Sequence, residues 1–124
     1  MSKTQDNLME AFAGESQANR KYLAFAIAAD KEGYPQIAKL FRAVAAAETV
    51  HAHNHFRALG EIKSTAENLQ AAIEGEHYEI ESMYPDFIGD AEAEEARKAL
   101  RSFNWAWEVE KIHRELYREA LEQL

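Results

Sequence analysis

The chain has 124 residues, 22 acidic against 14 basic side chains, a formal net charge of −8 and no cysteine. This length suits one domain with a sizeable core, and the negative charge argues against a nucleic-acid backbone or an anionic membrane surface as partner. Without cysteine there is no disulfide and no thiolate-ligated zinc, iron or iron–sulfur centre within these residues; without a signal-like N-terminus or an apolar run near ~20 residues, a cytoplasmic location is expected.

Alanine, leucine, glutamate and other helix formers dominate, and no stretch alternates with period two, so the expected class is all-α with four long helices. The first runs from about Thr4 to Glu32, with Leu8, Phe12, Glu15, Tyr22, Ala26 and Ala29 along one face. Gly33 suits the residue past a helix C-terminus, and Pro35 suits the first position of the second helix, which runs to about Leu59. Its apolar face reads Ile37, Phe41, Val44, Glu48, His51, His55, Ala58. Gly60 ends it, and Ser64 with Glu67 forms a capping-box pattern for the third helix, which carries Leu69, Ile73, Glu76, Ile80, Met83 and Phe87 inward. Pro85 is expected to kink or shorten that helix. Gly89 and Asp90 read as the next junction, with Asp90 as N-cap and Glu92, Glu94 and Glu95 in the first turn of the fourth helix. That helix turns Leu100, Phe103, Trp107, Glu110, His113, Tyr117, Ala120 and Leu124 to one side; Trp105 and Trp107 cannot both face the core, so one is a candidate for a subunit contact.

Two Glu-x-x-His motifs, Glu48/His51 and Glu110/His113, sit where the periodicity reserves positions for core. Unpaired ions kept from water cost several kcal/mol, so both motifs call for a compensating partner, and a metal is the natural one. An internal repeat strengthens this. Glu15 matches Glu76 at an offset of 61, and Tyr22 matches Tyr84, Glu48 matches Glu110 and His51 matches His113 at 62. The chain reads as one helix hairpin written twice, over residues 4–59 and 65–124, within a single domain spanning 1–124. Together the copies supply Glu15, Glu48, His51, Glu76, Glu110 and His113, the donor pattern of carboxylate-bridged dinuclear sites in ferritin-like four-helix bundles. Glu79, one turn beyond Glu76, has no counterpart in the first copy and makes the site asymmetric. Carboxylates and imidazoles suit iron or manganese and also accept zinc. Tyr22 and Tyr84 read either as core tyrosines or as hydroxyl donors to the ligand carboxylates. His55 reads as a partly buried imidazole satisfied by a neighbour; His53 and His77 point off the ligand face.

The stretches NLMEAFAGESQANRKY, ETVHAH, TAENLQAAIEGEHYEIESMYPDF and EKIHRELY resemble the di-iron domain of the rubrerythrin family, over essentially the whole chain. The resemblance implies that Glu15, Glu48, His51, Glu76, Glu79, Glu110 and His113 hold two iron ions. It also implies that Glu79, Tyr22 and Tyr84 serve the reaction, the reduction of hydrogen peroxide. The resemblance also implies that Asn is usual where this chain has His77, and that an aliphatic residue is usual near His55. The cysteine-bearing rubredoxin domain of typical members has no counterpart here, so an external donor such as a rubredoxin-like protein is expected to supply electrons. Other classes open to the same ligands are a non-enzymatic iron-handling protein and an oxidase that activates O₂.

Ferritin-like bundles need a long crossover between the second and third helices, whereas Gly60 to Ser64 spans at most ~18 Å against ~37 Å for a 25-residue helix. A homodimer that swaps helix hairpins follows as the expected assembly, in which Glu15, Glu48 and His51 share metals with Glu76, Glu79, Glu110 and His113 of another chain. An up-down-up-down monomer is the alternative.

Overall fold

The computed structural model describes residues 2–124, and all regular structure among them is helical. The chain divides between Ile62 and Lys63 into two compact units, each a helical hairpin.

The first hairpin pairs α1 (Lys3–Lys31) with α2 (Pro35–Leu59). Ser2 caps α1 through a capping box: its hydroxyl accepts from the Gln5 backbone N–H, and the Gln5 side chain accepts from the Ser2 N–H. Gly33, at φ +85°, makes the left-handed turn that lets Pro35 open α2. Where the helices approach, the contact is made of alanines, Ala26, Ala29 and Ala38, with Phe41 packed against them. Methyl-sized side chains allow the backbones to come close. Farther along, the Asn19 amide donates to the Ala45 carbonyl at 2.7 Å and to Thr49 Oγ1 at 2.8 Å, and Phe12 stacks on Phe56 at 4.8 Å. The side of α2 carrying Ile37, Leu40 and Val44 stays open, with Leu40 62% exposed.

The second hairpin pairs a continuous helical rod with α5 (Arg97–Gln123). The rod consists of α3 (Thr65–Tyr78), one π-helical turn (Glu79–Met83) and α4 (Tyr84–Ala93), and Ser64 caps it by accepting from the Glu67 N–H. The π turn has a sequence cause. Glu15 to Tyr22 is seven residues and Glu76 to Tyr84 is eight. The extra residue is taken up by widening one turn, so that the Tyr84 N–H reaches back five residues to the Glu79 carbonyl.

Pro85 therefore neither kinks nor shortens the helix as expected; it sits in the first turn of α4, directly after the π turn. In that register its missing N–H would have pointed to the Ile80 carbonyl, and the Trp107 indole N–H donates there instead, at 2.9 Å. The vacancy that makes proline costly in a helix is filled from α5.

The expected junction at Gly89 and Asp90 is not observed. Both lie inside α4, which runs to Ala93, and the chain turns over Glu94 to Ala96. A helix-interior glycine costs only ~1 kcal/mol relative to alanine, and continuing the helix buries Ala91. Glu95 adopts the left-handed conformation at φ +56°, and Ala96, not Asp90, precedes α5 without a side-chain cap. Glu92 and Glu94 thus sit at the negative end of a helix dipole, the reverse of the expected first-turn placement.

Candidate metal centre

In the first hairpin α1 contributes Glu15, and α2 contributes Glu48 and His51 one turn apart. His51 Nδ1 lies 3.0 Å from Glu15 Oε1 and 3.1 Å from Glu48 Oε1. The second hairpin repeats the arrangement more loosely, with His113 Nδ1 3.7 Å from Glu76 Oε1 and 3.5 Å from Glu110 Oε1. Within each trio, one ligand atom per residue falls inside 4.8 Å of the others. Glu48, Glu76 and Glu110 are largely withdrawn from water, at 16%, 15% and 17% side-chain exposure, whereas the imidazoles stand at the open edge.

Carboxylates packed this closely repel one another, so the donor set favours a cation among them. One oxygen tests the fit directly. Glu76 Oε2 is buried without a hydrogen-bond partner, an acceptor deprived of water that a metal ion would satisfy. All-oxygen-and-imidazole coordination suits iron or manganese.

Glu79 emerges from the π turn beside the second trio. A hydrogen bond with Glu110 raises its carboxyl pKa to about 7; burial and the Glu110 charge push the same way, and His113 opposes them. Glu79 is therefore held toward its protonated form beside the trio. Tyr84 is raised as well, first by burial and then by the charges of Glu79, Glu110 and Glu76, so its hydroxyl stays protonated close to the carboxylates. Among the described residues neither Tyr84 nor Tyr22 hydrogen-bonds a ligand carboxylate. Tyr22 packs instead against Phe25 and Phe41, with ring centroids 6.3 and 6.1 Å away.

His55 finds its neighbour in Glu15: its Nε2 pairs with Glu15 Oε2, on the oxygen that His51 leaves free. His53 is exposed. His77 is exposed too, yet its Nδ1 meets the Arg114 guanidinium at 3.2 Å. Arg114 went unnoticed in the sequence. It bridges α5 to the π turn through Glu81 at 3.0 Å, with its Nε buried without a hydrogen bond and 3.9 Å from Glu115 Oε1. The signal available was its place one turn beyond Glu110 on an inward-turned face, where a cation needs a reason to be.

The Rubrerythrin family profile matches residues 6–121. Rubrerythrin-2 of Clostridium acetobutylicum is 39% identical over 94% of this chain and 71% of its own length. Rubrerythrin of Porphyromonas gingivalis is 42% identical over 94% of the chain and 64% of its length, and nigerythrin of Nitratidesulfovibrio vulgaris 39% identical over 94% and 65%. A solved structure of nigerythrin in its fully reduced, all-ferrous state aligns with 98% of this chain and 67% of its own, at 38% identity and a TM-score of 0.50. The chain thus spans about two thirds of the length of these relatives. The similarity covers both hairpins and all the residues of both trios, and its neighbours are ferritin-like helical bundles. On this fold, this donor set and this match, the chain belongs to the rubrerythrin family.

Proposed function

We propose that this protein is a non-haem di-iron peroxidase that reduces hydrogen peroxide to water. The observation that carries the reading is the pair of matching Glu/Glu/His trios, each with its ligand atoms within 4.8 Å. The family is one of di-iron, peroxide-reducing proteins, and the relatives named above bear its names. Glu15, Glu48, His51, Glu76, Glu79, Glu110 and His113 would hold the metals. Two irons held there would supply the two electrons that cleaving the O–O bond requires.

The residues supply the rest. One peroxide takes up two electrons and two protons to give two waters. Tyr84, whose hydroxyl stays protonated beside the charges of Glu79, Glu110 and Glu76, is placed to deliver a proton, and Glu79 stands among the same carboxylates to position peroxide. Tyr22 takes the matching place on the first hairpin. No cysteine stands among the 124 residues, so the electrons enter from outside them, from a donor such as a rubredoxin-like protein.

The two hairpins act as copies of one unit in a single domain. We further propose that each complete site joins the first hairpin of one chain to the second hairpin of another in a swapped homodimer. Supporting this, α2 ends at Leu59 and α3 starts at Thr65, and the connector between them spans at most ~18 Å, about half the length of α2.

The test of the activity is anaerobic. Iron-loaded, fully reduced protein mixed with peroxide or with dioxygen should be oxidised much faster by peroxide, while a zinc-loaded control stays inert because zinc has no redox chemistry. Equal rates with the two oxidants would point to an oxidase, and no reaction with either to iron handling alone.

A further inference from the structure

The face of α5 that points away from the rod carries a stripe the metal site does not use. Trp105, Val109, Ile112 and Leu116 are 68%, 44%, 59% and 56% exposed and follow steps of four, three and four. At 3.6 residues per turn the stripe lies roughly opposite Trp107 and Arg114, which hold α5 to the rod, and ~130° round the helix from Glu110. It is thus neither the hairpin contact nor the ligand face. In α2 the positions 62 residues earlier are Ala43, Ala47, Val50 and Asn54, small or polar apart from Val50. The corresponding positions of α2 thus form no such stripe.

Its spacing is symmetric. Trp105 stands as far before the midpoint of Glu110 and Lys111 as Leu116 stands after it, and Val109 and Ile112 are related in the same way. Steps of four and three are those of a coiled-coil seam, and a seam symmetric about its centre matches its own antiparallel copy. Charge follows the same symmetry: Arg101 precedes the stripe and Glu119 follows it at nearly equal distances, so antiparallel pairing sets each against the other across the contact. No ion pair among the described residues engages either one. Glu108 and Glu115, which the same pairing brings near each other, are already compensated within their own helix by Lys111 at 3.2 Å and Arg118 at 2.8 Å.

We infer that this face docks a second copy of the chain, α5 against α5 in antiparallel orientation, with Trp105 over Leu116 and Val109 over Ile112. The contact rests on α5 itself and on neither the metal reading nor the hairpin swap.

Because the chain has no cysteine, engineered thiols test it cleanly. Under mild oxidation the double variant Val109→Cys/Ile112→Cys should form a dimer whose disulfide joins position 109 of one chain to 112 of the other, as mapped on digested peptides. Arg101→Glu in that background should lower the yield several-fold, and Arg101→Glu/Glu119→Arg should restore it. These two positions lie ~27 Å apart along one helix, so the rescue cannot arise within α5 itself. Circular dichroism verifies that each variant is helical. Links joining 109 to 109 and 112 to 112 would mean parallel pairing and overturn the inference. So would failure of the charge reversal to rescue, absence of any link, or thiols that form no link yet stay shielded from a maleimide, which would show another occupant.

Discussion

At the scale of single residues, polar groups in the second hairpin are matched to uses that would otherwise be costly. The carbonyl of Ile80, left over by Pro85, receives the Trp107 indole N–H, and Arg114 fastens the π turn through Glu81. The raised carboxyl of Glu79 has a consequence for stability. Its folded pKa of about 7 lies above the ordinary glutamate value of 4.5, so its contribution is fully present below about 4.5 and is lost as pH rises through about 7. Metal-free protein should therefore lose ~1 kcal/mol from this group across that interval, well under the full linkage value because the carboxyl is in partial contact with water. Urea unfolding in chelator at several pH values measures the slope. Glu79→Gln, which keeps a hydrogen-bond donor but cannot titrate, should flatten it. Identical slopes for the two proteins would show that Glu79 does not titrate differently on folding over this interval.

At the scale of elements, the rod from Thr65 to Ala93 shows where periodicity was a sufficient guide and where it was not. Glu76 was legible as an inward residue because its neighbours Ile73 and Ile80 set the face. The extra residue between Glu76 and Tyr84 was legible as a change of offset, but a loop, a kink or a π turn would each absorb it. The π turn prevails because it keeps the helix continuous while its freed carbonyl finds a donor on α5. The end of the rod was misplaced for a related reason: Gly89 and Asp90 are good terminators locally, yet the helix runs on past them and buries Ala91. The turn then falls on Glu95 in a left-handed conformation that costs a side chain ~1 kcal/mol. Glu95→Gly should raise stability by about that amount and also remove a carboxylate from the negative end of α4. A higher urea midpoint for the metal-free variant is the expected result, and an unchanged or lower one would mean that the side chain makes a compensating contact.

At the scale of the whole molecule, each hairpin is an incomplete object. Among the described residues no large side chain is fully buried, and the buried apolar ones are six alanines with Ile73 and Ile80. Such a hairpin needs a second layer. If sites form between chains, two defective proteins should complement. One variant carries Glu48→Ala and His51→Ala, the other Glu110→Ala and His113→Ala. Each alone should lose tight iron binding, and the pair, unfolded together and refolded, should recover one intact site per mixed dimer. Recovery of iron binding measures it, and no recovery would mean that each site is built within one chain.

The sequence by itself determined the family and the candidate donor set: seven candidate ligands, their two-fold pattern and the helices that carry them. Ligand type and helical period are local properties, written directly in residue order. Only the tertiary structure decided how the odd residue is absorbed, which carboxylate His55 pairs with, that Arg114 secures the π turn, and that Trp107 turns inward while Trp105 is left exposed on α5. Each of these depends on a donor or an acceptor from a different helix, and residue order along one helix carries no record of what packs across from it.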